Sequence, residues 1–144
     1  MSIVTLSLWL LTGCGTSSTG VIDQTPDVVD DTDADEEGPT ISHTPVETTQ
    51  VLGEDVEIEA VVSDVESGVL IVEVFFKTET DTEFSTGSGL TLQDDEGTYF
   101  GVIPGDKVRG GGMDYYLGAV DLSNNDSYMP EDGDGDAYHF RVSQ

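Results

Sequence analysis

The side chains best equipped for chemistry in this sequence are carboxylates, and they gather beside turn residues: Asp64 and Glu66 just ahead of Ser67-Gly68, and Asp121 shortly before Asn124-Asn125. Oxygen donors held at two turns suit Ca²⁺, a hard cation that takes about six to eight oxygens and offsets the repulsion of converging carboxylates. Asp64, Glu66, Asp121 and Asn125 are therefore the candidate metal ligands, with solvated loop acids as the alternative. A second acidic run, Asp132-Gly-Asp-Gly-Asp136, has the first half of an EF-hand loop. It fails as one, because Ala137 stands where the turn needs glycine and Ser143 where a bidentate Glu should close the site.

Catalysis has less to work with. His43 and His139 are the only imidazoles available as bases near neutral pH. No G-x-S-x-G nucleophile turn occurs, and no His/Cys cluster has zinc spacing. Paired carboxylates could cleave a glycosidic bond only within a cleft lined by stacking aromatics, whereas most Tyr and Phe fall at core positions. The reading is non-enzymatic. Phe75, Tyr116 and Tyr128 are the exposed exceptions, and they are the candidate binding surface. With 30 Asp and Glu against 4 Lys and Arg, the formal charge is -26. Such a chain repels nucleic-acid phosphates and anionic bilayer surfaces, and it favours cations or a basic partner.

These residues are positioned by short segments of alternating polarity beyond Pro39, separated by turn residues, the pattern of antiparallel sheets with one buried face. Seven strands are predicted: Thr40–Pro45, Asp55–Ser63, Val69–Thr78, Gly89–Gln93, Thr98–Ile103, Met113–Asp121 and Ala137–Ser143. Their inward residues are Val56, Ile58, Ala60 and Val62; Leu70, Val72, Val74 and Phe76; Leu90 and Leu92; Tyr99 and Ile103; Tyr115, Leu117 and Ala119; and Tyr138, Phe140 and Val142. His139 faces solvent. Pro104-Gly105 fits a type II turn, with glycine supplying a positive φ. The fold class is all-β, a two-layered antiparallel sandwich over residues 39–144. With seven strands, the loops after the second, fourth and sixth meet at one end, so their acids, Asp132 to Asp136 included, fall at one pole. Lys77, Lys107, Arg109 and Arg141 fall toward the other.

Residues 15–38 carry acids, no base and no aromatic. They cannot bury enough surface to offset an ordering cost of about 1–2 kcal/mol per residue. They read as a disordered, charge-extended tether. Ser2 to Leu11 form an apolar run too short to cross a ~30 Å hydrocarbon core as a helix, which suits a signal-peptide core. Leu11-Thr12-Gly13-Cys14 follows it and resembles the bacterial lipobox. The resemblance implies acylation of Cys14, the only cysteine, with residues 1–14 as signal and lipobox. It departs from that family in having no base before Lys77. Several acyl chains on one residue anchor stably where a single chain does not. Gly15 after the cysteine resembles the pattern of outer-membrane sorting.

Gly97-Thr-Tyr-Phe-Gly-Val-Ile-Pro104, then Met113-Asp-Tyr-Tyr-Leu-Gly-Ala-Val-Asp121 and Ser123-Asn-Asn125, resemble the last strands of bacterial immunoglobulin-like and fibronectin type III-like domains. Val56 to Gly68 is similar to their second strand and first loop. The resemblance implies an Ig-like sandwich and no particular activity. Two functions stay open. One is a lipid-anchored binding or adhesion module of the cell envelope, facing an extracytoplasmic protein or glycan, with calcium as a possible stabiliser rather than a required cofactor. The other is an accessory spacer lipoprotein of an envelope complex, without a ligand of its own.

Overall fold

The computed structural model describes residues 34–144. The expected signal segment, the expected lipobox with Cys14, and the expected tether through residue 33 lie outside the described residues.

Alternation at β3 (Val56–Ser63) is strict, buried and exposed residues following one another, with Val61 the one apolar side chain on the outer face. Glu57 and Glu59 therefore meet water while Val56, Ile58, Ala60 and Val62 enter the core. The same period runs through much of β4 (Val69–Thr78), β8 (Gly111–Asp121) and β10 (Tyr138–Ser143), whereas β7 (Thr98–Ile103) is half-buried along its length up to the buried Ile103. Shorter strands complete the set: β1 (Thr40–His43), β2 (Gln50–Val51), β5 (Ser88–Gly89), β6 (Thr91–Leu92) and β9 (Asp126–Met129). One sheet runs β1-β3-β7-β6 and the other β2-β10-β8-β4-β5, with β9 also paired to β8. Pairing is antiparallel except between β2 and β10. The two sheets close over Val72, Val74, Ile103, Met113, Tyr115, Leu117 and Phe140, side chains worth roughly 1.5–3 kcal/mol each on burial.

The seven expected strands become ten for local reasons. Around Leu90 the chain changes sheets: β5 pairs with β4 and β6 with β7. Leu90 is buried at the crossing, its N–H 2.8 Å from the Val72 carbonyl. Leu92, expected inside, is 52% exposed. The last strand is divided. β9 pairs with the C-terminal half of β8 and β10 with its N-terminal half, so residues 130–137 bulge out midway along the sheet. Leu70, also expected inside, is 58% exposed, because a register shift between Val69 and Ile71 rotates it outward. Tyr99 and Tyr138 are only partly buried against the core.

Gly105 differs too. Its φ is not positive; the positive-φ glycines are 53, 68, 97, 111 and 133. A Cβ on Gly105 would instead collide with the Gly53 carbonyl oxygen. Glycine is needed there because two loops touch backbone to backbone.

A polar staple fixes β1 to the core. Tyr115 Oη lies 2.8 Å from His43 Nε2 and accepts from the Val46 N–H at 2.8 Å, while His43 Nδ1 stands 2.6 Å from the Glu59 carbonyl. A carbonyl can only accept, so Nδ1 carries the proton and Nε2 accepts from the phenol: the arrangement suits neutral imidazole. Burial lowers the His43 pKa accordingly, with the Glu59 hydrogen bond opposing it. Burial also pushes the Tyr115 phenol up to about 12.

Candidate functional site

Antiparallel register places Val69 opposite Asp121 and Thr78 opposite Met113, so the loops flanking β4 and β8 gather into two poles. At the first, Asp64 follows β3 and Asp121 ends β8. Asp64 Oδ1 accepts from the N–H groups of Ser67 and Gly68, both at 2.8 Å, and of Glu66 at 3.1 Å. Those donors, Gly68 and Ser67 foremost, hold its carboxyl below the usual range. The turn closes through Gly68 at φ +89°, which glycine adopts without steric cost.

Asp121 is 0% exposed, the one buried charged residue among those described. Its Oδ1 accepts from the Asn125 N–H and its Oδ2 from Asn125 Nδ2, both at 2.8 Å. Burial alone would raise its pKa, but the Asn125 donors, with the Ser123 backbone and the Asp35 side chain, together outweigh this and leave it lowered. The loop reaches that geometry through Asn124 at φ 71°, the left-handed region that Asn tolerates better than most residues.

The third carboxylate comes from Asp35, inside the segment expected to be a free tether. Residues 34–38 lie along the pole instead. Asn125 Nδ2 donates to the Asp35 carbonyl at 2.8 Å and reaches the Glu37 carbonyl at 3.4 Å. Gly38 sits so close to β9 that a Cβ would be 2.6 Å from both Asp126 O and Ser127 Oγ. One oxygen each of Asp35, Asp64 and Asp121 lies within 4.8 Å of the other two. Asp35 Oδ2 is enclosed and has no hydrogen-bond donor.

Of the four expected ligands, Asp64 and Asp121 stand in this cluster and two do not. Glu66 is exposed and contributes its N–H to Asp64 rather than an oxygen to the centre. Burial, then the charges of Asp35, Glu37 and Asp64, raise its pKa. Asn125 presents its amide nitrogen to Asp121 and to the Asp35 carbonyl, so it positions ligands. One buried and two half-buried carboxylates, with one oxygen lacking a donor, bring together hard, anionic oxygens of the kind Ca²⁺ prefers.

Phe75, Tyr116 and Tyr128, expected to be exposed, meet on the outer face of the larger sheet, where Phe75 and Tyr116 are half-buried and only Tyr128 of the three is exposed. Phe75 and Tyr116 are cross-strand partners, stacked at 4.8 Å and 11°. Phe84 meets Tyr116 edge-on at 4.9 Å, and Tyr128 does so at 6.0 Å. Gly118 lies beneath: a Cβ there would contact both Phe75 and Tyr128 at 3.0–3.3 Å. Tyr128 is 44% exposed. Asp132 and Asp134, expected at the acidic pole, border this surface instead, lining a cavity of about 300 Å³ with Tyr116, Tyr128 and Gly133. The split of the last strand carries them there.

His139 is exposed as expected, its Nδ1 2.8 Å from Asp114 Oδ1, with Glu79 3.9 Å from Nε2. No serine, cysteine or threonine hydroxyl or thiol accompanies it among those contacts. No family model matches the chain, and no curated protein matches its sequence.

Proposed function

We propose that this chain is a lipid-anchored, non-enzymatic binding module of the bacterial cell envelope, carried on an Ig-like sandwich and tethered through Cys14 to the outer membrane or cell surface. The observation that carries the binding reading is the contiguous aromatic group Phe75–Tyr116–Tyr128 on a sheet face. Rings of this kind dominate recognition surfaces because they offer large contact area at little conformational entropy. Their surroundings select the partner. Asp132 and Asp134 border the rings, no base lines that cavity, and the chain bears -26 charges. Lys or Arg side chains of an extracytoplasmic protein satisfy both features, meeting ring faces and carboxylates together.

Calcium supports this module at its acidic pole. Asp35, Asp64 and Asp121 are the ligands, and the donorless Asp35 Oδ2 is the observation that favours a cation over solvated acids. Binding there would clip residues 34–38 to the domain, so that the tether leaves from the pole.

Crosslinking in native membranes, followed by mass spectrometry, tests the partner. The expected result is a crosslink to Lys- or Arg-bearing peptides of one envelope protein, lost in Tyr128→Ala. A crosslink to glycan alone, or a pattern unchanged by Tyr128→Ala, would contradict the reading, the latter in favour of an accessory spacer.

A further inference from the structure

The second pole holds a cavity apart from the calcium site, meeting the aromatic group only through Phe84. Three of the four basic residues in the chain, Lys77, Lys107 and Arg109, line a single cavity of about 730 Å³. Its volume lies in the range of roughly 300–1,000 Å³ typical of sites for small organic ligands. In a protein so rich in acid, these bases have few strong partners. Lys77 Nζ is 4.0 Å from Asp114, beyond hydrogen-bond reach, and sits 4.6 Å above the Phe84 ring. Lys107 meets only its neighbour Asp106, at 3.2 Å, both largely exposed. The Arg109 guanidinium has one contact among the described residues, the Val108 carbonyl at 3.5 Å, and no carboxylate.

Two acids also line the cavity, Asp81 and Glu83. Asp81 is already engaged: its Oδ2 accepts from Thr78 N–H at 3.0 Å and Thr78 Oγ1 at 2.8 Å. Glu83 is exposed. The cavity lining therefore carries three positive and two negative charges, with Asp106 beside Lys107 at its edge, in a chain that is otherwise overwhelmingly acidic. Half-buried Phe84 supplies an apolar wall, backed by the buried Phe76 and Met113. A planar guanidinium fork receives a carboxylate in bidentate fashion, which an ammonium cannot do.

We infer that this cavity binds an organic carboxylate with an apolar body, the carboxylate on Arg109 with Lys107 and Lys77 beside it, and the body against Phe84. Such a group comes from an arylalkanoate or from a uronic acid, whose ring has a C–H face. Saturation-transfer NMR on the full-length protein separates these sources, using 3-phenylpropionate, galacturonate, inorganic phosphate and benzyl alcohol as probes. The expected result is saturable binding of one or both carboxylates, weakened about tenfold or more by Arg109→Gln and less by Arg109→Lys, which keeps the charge and loses the fork. Arg109 is exposed, so both variants should fold. The inference is overturned if benzyl alcohol binds as well as the carboxylates, if phosphate alone binds, if nothing binds, or if Arg109→Gln leaves carboxylate binding unchanged.

Discussion

The two ends of β8 differ in charge, carboxylates clustering at one and three bases standing among acids at the other, and they are built in opposite ways. At the Asp121 end, short side chains are fixed by backbone: Asp121 by Asn125, Asp64 by its own turn, Asp35 by the chain running along the pole. At the Gly111 end, long side chains reach an open cavity, and Arg109 and Lys107 are exposed. The difference teaches where charge is structural. A carboxylate that has taken up N–H donors is part of the turn that holds it, so its loss is felt by the fold. A solvated guanidinium can be removed with the fold intact, and only a ligand registers the loss.

Substitutions can break this comparison or sharpen it. The largest effect should come from the beam both poles share. Leu117, fully buried midway along β8, leaves a cavity when cut to alanine, at a cost of about 2–5 kcal/mol. Chemical denaturation should show that loss with or without calcium; an unchanged midpoint would contradict the core described. Calcium itself comes next. At about a hundredfold over its dissociation constant, a cation that binds only the folded chain adds ~2.7 kcal/mol, which for a domain of this size raises Tm by roughly 10 °C or more. Differential scanning calorimetry should find that rise in the natural protein and in Arg109→Gln, but not in Asp121→Asn.

Acid should act in two stages, visible as the pH dependence of stability. His43 has its pKa lowered from 6.5 by burial, so the unfolded chain binds the extra proton first. Its staple contributes fully above pH 6.5 and is lost as pH falls through the folded value. His43→Gln should remove that stage. Asp64 and Asp121 lie below the ordinary 3.8, so their contribution is present above that pH and lost below it. The smallest effect belongs to the basic pole: Arg109→Gln should change stability by no more than about 0.5 kcal/mol.

How much of this was legible in the sequence depends on which interactions set it. Period-two burial gave β3, β4 and β8 nearly residue for residue, because alternation is a local consequence of the pleat. It missed Leu70, since a bulge inverts the alternation without altering composition. Gly105 was rightly marked as special for the wrong reason: close approach to Gly53 is a tertiary fact. At the candidate site, Asp64 and Asp121 were readable from their turns. Asp35 was not, because its neighbours have the composition of a free chain and only the Asn125 amide, ninety positions on, holds it down. The same amide explains Asn125, which a ligand count places in the metal and its hydrogen bonds place behind it.

The central claim is that three carboxylates, one of them borrowed from the tether, hold a divalent cation. Isothermal titration of the metal-freed protein with Ca²⁺ tests it most directly, alongside Asp35→Asn. The account expects saturable, one-site binding that weakens markedly in Asp35→Asn. No heat of binding at millimolar Ca²⁺, or binding indifferent to Asp35, would contradict it.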